Sequence, residues 1–264
     1  MTVITQSYPF KLPQKGILRQ HIDHLKELSM DAGQELLRKL WTEEWLELLG
    51  DKKKKAYIII SEKQVVLRKE GQPLYLPSRI RRCIAERIGR ILRSQGKRKN
   101  CYEDVLQVVQ TTGVEGNLDT LVKIIASSII QFKGKYYRWA LIRQVLRRLR
   151  RYHYCLGLDL ALLMHIPYIK TVSPAVHSFN FPYSPDDGQA LRMDWQREAL
   201  SVKMRLPITN KPVKRSDWQW HTITIPIPSK ILQRVNKPGS KVHRPMLRYI
   251  QLKGGLNLPF LEVE

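Results

Sequence analysis

The pattern of hydrophobic and polar positions changes character twice along the chain. Near the amino terminus, TVITQSYPFKL alternates loosely and contains β-forming residues, which predicts a single strand ended by Pro13. From about Lys15 to Cys155, apolar residues recur at three- and four-residue steps, as they do on amphipathic helices. From residue 166 onward, prolines are frequent and apolar residues alternate with polar or basic ones, which favours β-strands.

The helical block contains five predicted helical stretches. The first carries an apolar stripe over one or two helices, at Leu18, Ile22, Leu25, Leu28, Leu36, Leu40 and Leu46. The second follows Ser78, a fair N-cap, and is predicted to stop at Gly96. The remaining three are YEDVLQVVQTT, NLDTLVKIIASSIIQF and GKYYRWALIRQVLRRLRRY. Between the first two, AYIIISEKQVVL fits either short strands or a helical turn.

Segments of the last zone have period two: ALRMDWQ, ALSVKMRLPI, WQWHTITIPI and LRYIQLKG. Because one strand is not stable alone, the amino-terminal strand is expected to join them. The predicted fold class is therefore α+β, with a small antiparallel, OB-like β-barrel interrupted by a helical insertion. The predicted divisions are 1–13 for the first strand, 14–165 for the insertion and 166–264 for the remaining strands.

Charge narrows the choice of partner. Lys and Arg number 46 against 23 Asp and Glu, so the formal net charge is +23. Repulsion on this scale favours a polyanionic partner, and nucleic acid is the first expectation. An anionic membrane is the rival, but no segment approaches eighteen uncharged apolar residues and no signal pattern opens the chain. The cysteines Cys83, Cys101 and Cys155 are scattered, which predicts reduced thiols in a cytoplasmic protein.

Two predicted helices concentrate the basic residues. A solvated helix face normally mixes charges, yet only Glu86 opposes the cations that follow Ser78. Arginine dominates, and its planar fork suits phosphate. The predicted nucleic-acid-binding residues are Arg79, Arg81, Arg82, Arg87, Arg90, Arg93, Lys97, Arg98 and Lys99, then Arg138, Arg143, Arg147, Arg148, Arg150 and Arg151, with Lys203, Arg205 and Lys253 in the strand zone.

Aromatic residues flank the second basic cluster. Tyr136, Tyr137, Tyr152 and Tyr154 are candidates for stacking on bases or ribose, with burial in the core as the alternative. Trp139 shares a helix face with Ile142 and Leu146, so it is expected in the core.

No catalytic or metal site is predicted. Asp159 in RRLRRYHYCLGLDLAL resembles the start of a nuclease metal site, but two-metal chemistry needs several converging carboxylates. LALLMHIP follows without a glycine, so Asp159 is interpreted as a helix-end or loop residue. His21 and His24 lack a carboxylate-rich neighbourhood, and no phosphate-binding loop occurs, so no metal and no cofactor are expected.

Several segments together resemble the amino-terminal half of TnpB-type proteins, the OrfB proteins of insertion sequences related to type V CRISPR effectors. They are YPFKL, LPSRIRRCIAERIGRILRSQ, FNFPYSPDDGQALRM, LSVKMRLP, RSDWQWHTITIPIP and LRYIQLKGG, and the resemblance is strongest over residues 77–99 and 179–254. It implies a wedge β-barrel interrupted by a helical recognition (REC) domain. It also implies that this half holds a guide RNA and a guide–target duplex, and helps to read a short motif beside the target.

The family's second half is a RuvC nuclease with three acidic residues and a zinc ribbon. This chain ends at LPFLEVE, about where that half would begin, so nuclease activity is not carried over. The expected function is a non-catalytic, RNA-guided DNA-binding lobe, with guide RNA, target DNA and a separate RuvC-containing chain as implied partners. The alternative is a stand-alone RNA- or DNA-binding protein, such as a repressor of its own element. A self-sufficient nuclease would need carboxylates that the sequence pattern does not reveal.

Overall fold

A computed structural model describes residues 8–12, 15–50, 54–112, 139–151, 176, 181–182, 190–195, 199–235, 246–251 and 257–263. The chain divides into two compact units. The first contains Met1–Lys39, Lys54–Gly89 and Pro174–Glu264, and the second contains Leu40–Lys53 and Arg90–Ser173. The first unit therefore combines helical segments with the strands, and the division into 1–13, 14–165 and 166–264 stays a prediction.

Helices and strands alternate in blocks along the chain. The helices are α1 (Ile17–Lys39), α2 (Glu43–Leu48), α3 (Ala56–Glu62), α4 (Ser78–Thr112), α5 (Trp139–Arg150) and α6 (Ser229–Val235). The strands are β1 (Tyr8–Lys11), β2 (Arg68–Lys69), β3 (Gln72–Pro73), β4 (Phe181–Pro182), β5 (Leu191–Trp195), β6 (Ala199–Pro207), β7 (Trp218–Pro226), β8 (Met246–Gln251) and β9 (Asn257–Val263). The first apolar stripe thus covers two helices, and the ambiguous segment AYIIISEKQVVL is helical over α3.

The described strands form three antiparallel sheets. Their orders are β1-β9-β8-β4, β2-β3 and β5-β6-β7. The amino-terminal strand does find a distant partner, because Tyr8 pairs with Val263 and Lys11 with Phe260. The period-two segments predicted as strands are confirmed as β5, β6, β7 and β8. Closure of these strands into a barrel stays a prediction.

The core of the first unit lies where α1 packs against the β5-β6-β7 sheet. Strand side chains point alternately to the two faces of a sheet. On β6 the residues Leu200, Val202, Met204 and Leu206 are fully buried. On α1 the residue Leu25 is fully buried among a run of similar apolar side chains. One face of this sheet is therefore committed to the core.

The long helix α4 corrects one prediction. It continues through Gly96, which was predicted to end it, and also includes YEDVLQVVQTT. A Cβ added at Gly96 would lie 3.1 Å from the carbonyl oxygen of Leu46, so this glycine permits close approach of α2 rather than terminating the helix. Cys83 and Cys101 on α4 are buried thiols, and burial together with the Asp104 charge raises the pKa of Cys101 to about 12. Cys155 and the predicted helix NLDTLVKIIASSIIQF lie outside the described residues.

A second glycine of α4 sets the approach of α3. A Cβ added at Gly89 would overlap the Cβ of Ala56. Gly89→Ala is therefore expected to lower the free energy of unfolding by about 1–3 kcal/mol through overpacking, measured by chemical denaturation. Ser94→Ala, at an exposed position of the same helix, is the matched control and should be nearly neutral. An unchanged midpoint for Gly89→Ala would contradict the close packing of α3 on α4.

Histidines gather where α1 meets β7. The Nδ1 atom of His21 lies 2.9 Å from the Nε2 atom of His221, and the ring of His24 stacks on His21 with centroids 5.9 Å apart. Burial, together with the neighbouring His221 and His24, lowers the pKa of His21, and burial lowers the pKa of His221. Protonation of His21 or His221 therefore opposes folding.

These shifts predict acid destabilisation. The folded-state pKa values lie below the unfolded value near 6.5, so the unfolded chain binds more protons as pH falls below that value. The denaturation midpoint should be level above about pH 7 and fall toward pH 5. His21→Phe keeps an aromatic ring but cannot be protonated, so it should flatten this part of the curve. An equally steep fall in the variant would contradict the assignment to His21.

Candidate nucleic-acid interface

The second face of the β5-β6-β7 sheet carries basic and aromatic side chains. Arg192 pairs with Lys203 across β5 and β6, and Arg205 pairs with Trp220 across β6 and β7. These positions alternate with the buried ones, so they share the face opposite α1. Lys203 is exposed, and Trp220 keeps 42% of its surface exposed. Asp194, further along β5, is the acidic residue on this face.

A cleft of about 780 Å³ opens on this face. Trp218 forms part of its wall, and its indole N–H donates to the carbonyl oxygen of Tyr75 at 3.0 Å. The backbone N–H of Tyr75 in turn donates to the carbonyl oxygen of Pro212 at 2.9 Å. The guanidinium of Arg192 lies over the Trp220 ring, 5.2 Å from its centroid. The wall is therefore tied together by hydrogen bonds and a cation–π contact.

A short 3₁₀ turn, Arg215–Asp217, brings a further arginine to the cleft. The carboxylate of Asp217 accepts hydrogen bonds from the backbone N–H groups of Val213, at 2.8 Å, and Lys214, at 3.0 Å. The bonds from Lys214 and Val213 lower the pKa of Asp217. Asp217 therefore stays ionised and holds the turn that presents Arg215.

The first part of α4 adds exposed cations to the same unit. Arg81, Arg82 and Arg87 are exposed, and Arg79 is half-buried. The guanidinium of Arg82 lies 5.6 Å from the centroid of the Tyr57 ring on α3. These arginines fit the predicted basic surface.

In the second unit the predicted cations differ in environment. Arg90 and Lys97 are exposed, seven residues apart on α4, and Arg98 is half-buried. The Nε–H of Arg93 donates to the carbonyl oxygen of Leu49 at 2.9 Å. Arg147 and Arg151 are exposed, and Arg148 lies 5.4 Å from the ring centroid of Tyr102.

Lys99 does not belong to the predicted interface. It is only 8% exposed, and its Nζ atom lies 3.1 Å from Glu47, 3.4 Å from Glu43 and 3.7 Å from Glu103. Burial disfavours its charge, but the hydrogen bond that Lys99 donates to Glu47 and the charges of Glu103 and Glu43 outweigh that effect and raise the pKa of Lys99. Its ammonium is neutralised within the protein, so we remove it from the set of phosphate ligands.

Other predicted positions lie outside the described residues. They are Arg138, Lys253, Asp159 and the tyrosines Tyr136, Tyr137, Tyr152 and Tyr154; for Arg143 and Arg150 the structure describes the backbone of α5 but not the side chains. Conversely, the sequence analysis missed Arg192, Arg215, Trp218 and Trp220. The WQW spacing does carry a signal, because residues two apart on a strand share a face.

Metal-binding groups and membrane-spanning helices were assessed over the residue ranges that the structure describes. No group of three or more His, Cys, Asp or Glu side chains in those ranges could hold a metal ion. Across the same ranges, every helix is too short or too polar to cross a membrane.

Comparison with known proteins gives weak structural likenesses only. No protein-family model matches the chain, and no curated protein matches it. Among solved structures, one match is the cryo-EM structure of a Cas12f1–sgRNA–target DNA complex, at 8% identity and a TM-score of 0.25. The match covers 98% of this chain and 58% of that one, so this chain spans little more than half of its length. At this TM-score the likeness carries no argument about function.

Lys97 and Lys99 form a matched pair for testing the interface. Lys97→Gln is expected to weaken polynucleotide binding and to reduce the slope of log K against log salt by about one, because one phosphate contact is lost. Lys99→Gln should leave that slope unchanged while lowering the free energy of unfolding by about 1 kcal/mol, because its carboxylate partners are lost. Salt-dependent fluorescence anisotropy and chemical denaturation measure the two effects. Equal slopes for both variants would contradict the assignment of Lys97, and not Lys99, to the interface.

Proposed function

We propose that this chain binds nucleic acid, and that it serves as a non-catalytic lobe of a TnpB-like, RNA-guided DNA-targeting system. The observation that carries the proposal is the open face of the β5-β6-β7 sheet, where Arg192, Lys203 and Arg205 lie beside Trp220. The net charge of +23 supplies the long-range attraction to a polyanion.

Two of the three cations named on this sheet face are arginines, and arginine suits binding to a phosphate backbone. Its guanidinium offers parallel N–H groups to two oxygens of one phosphate, whereas lysine offers a single point of charge. An indole exposed among arginines adds stacking, which tolerates any base. Such a surface recognises backbone and base planes rather than a particular sequence.

The guide-dependent part of the proposal rests on the sequence resemblance to TnpB-type proteins. In a guided system, sequence is read by base pairing, and the protein holds the backbone and shape of the RNA and of the guide–target duplex. Guide RNA and target DNA are then the partners of this lobe. A separate chain with a RuvC domain would supply cleavage. A stand-alone RNA- or DNA-binding protein without a guide is the alternative.

Sequencing the RNA that copurifies with the protein distinguishes the guide-dependent function from the stand-alone one. A single structured species supports a guide, whereas a mixed population supports the stand-alone binder. Incubating the purified chain with Mg²⁺ and polynucleotides is the accompanying control, and unaided cleavage would overturn the non-catalytic assignment.

The double variant Arg81→Gln/Arg87→Gln tests the basic surface directly. Both side chains are exposed on α4, so the fold should be retained. Loss of two phosphate contacts should reduce the salt slope by about two and lower the yield of copurified RNA. Circular dichroism and anisotropy titrations check both expectations. Wild-type retention and slope in the variant would show that these arginines do not contact the ligand.

A further inference from the structure

We propose that the cleft on the open sheet face binds one unpaired nucleotide, with its base against Trp220 and its phosphate against Arg205 and Arg215. This inference rests on the proposed nucleic-acid binding and specifies a substrate class for one site. The cleft volume of about 780 Å³ falls within the range that holds a single small organic ligand. All of its lining residues belong to the first unit.

The polar side chains that line the cleft suit an anionic group on a ligand. Arg192, Arg205 and Arg215 line it, and no carboxylate is among the residues described as lining it. The Nε atom of Arg205 is buried and has no hydrogen-bond partner within the described part of the chain. A buried N–H donor is costly when unsatisfied, so a rearrangement of the Arg205 side chain that brings this N–H to a ligand oxygen in the cleft would be stabilising. Ser78, the first residue of α4, also lines the cleft, so the amino-terminal end of that helix, where the helix dipole is positive, lies at the cleft.

The apolar part of the cleft, the ring of Trp220, suits a planar aromatic group on a ligand. Trp220 is 42% exposed although Arg192 lies against its ring, so a substantial indole surface remains open to a ligand. Inorganic phosphate would use the arginines but not the indole, and an apolar ligand would offer no acceptor to Arg205. A nucleotide uses both, because every base has a π-face and every nucleotide of a strand carries a phosphate.

Stacking within a duplex would cover the base face that Trp220 is proposed to contact. In a duplex each base is stacked between neighbours, so only a single-stranded or splayed-out nucleotide can offer its face to a side chain. The exposed arginines of α4 do not depend on an unpaired base, because paired and unpaired strands both present phosphates. The cleft and the helix therefore make different predictions for the same RNA.

The experiment compares two RNA hairpins with identical stems, one blunt and one with a short single-stranded overhang. In both, a linker without nucleotides replaces the loop, so the blunt hairpin has no unpaired base. The full chain should bind the overhang hairpin about tenfold more tightly, by fluorescence anisotropy at fixed salt. Trp220→Ala and Arg205→Gln should each remove this preference, so that the variant binds the two hairpins with nearly equal affinity. Trp220→Phe should retain most of it, because a phenyl ring still stacks. Circular dichroism confirms that each variant is folded.

Arg81→Gln is the matched control, since it lies on the basic surface outside the cleft. It should weaken binding of both hairpins equally. If the wild type shows no overhang preference, or if Trp220→Ala weakens both hairpins alike, the cleft proposal fails while nucleic-acid binding stands. If the wild type binds neither hairpin at modest salt, the proposed function fails as well.

Discussion

The packing of α1 against one face of the β5-β6-β7 sheet is the constraint on which the candidate interface depends. Burying Val202 and Met204 on that face sends Lys203 and Arg205 to the other, because strand side chains alternate with period two. A slip of one residue in register would place both cations in the core, where an unpaired charge is strongly disfavoured. The basic face is therefore a consequence of how the core is built, and the two cannot vary independently.

Counting cations overstates the surface available to a ligand. Lys69 is buried and lies 2.7 Å from a carboxylate oxygen of Asp31, and Lys99 is surrounded by carboxylates. These lysines contribute to the fold, as does Arg93 through its hydrogen bond to a backbone carbonyl. The arginines Arg81, Arg82 and Arg87 of α4 and Arg192 of the open sheet face remain exposed. The distribution of charge, more than the net value, thus defines the candidate interface.

Local periodicity predicted the elements well because it reflects only which side of an element is buried. The stripe on α1 and the alternation of β5 to β8 were recognisable for that reason. Gly96 was misinterpreted because its role depends on the backbone at Leu46, which the local pattern does not contain. Lys99 was misassigned because two of its carboxylate partners, Glu43 and Glu47, are distant in sequence. β9 was overlooked, and Pro259 within it is a residue that usually argues against a strand.

The cleft and the basic helix differ in how firmly their side chains are held, and this difference suggests a division of labour. Trp218 is fixed by its bond to Tyr75, Asp217 fixes the turn that carries Arg215, and Arg192 rests on an indole ring. Groups fixed before binding lose little conformational entropy when a ligand arrives, so geometry there can discriminate between ligands. Exposed arginines such as Arg81 and Arg87 must be ordered on contact, and each phosphate they meet is equivalent to the next. Selectivity for unpaired nucleotides would therefore arise at the sheet, and the helix would supply affinity that depends on salt.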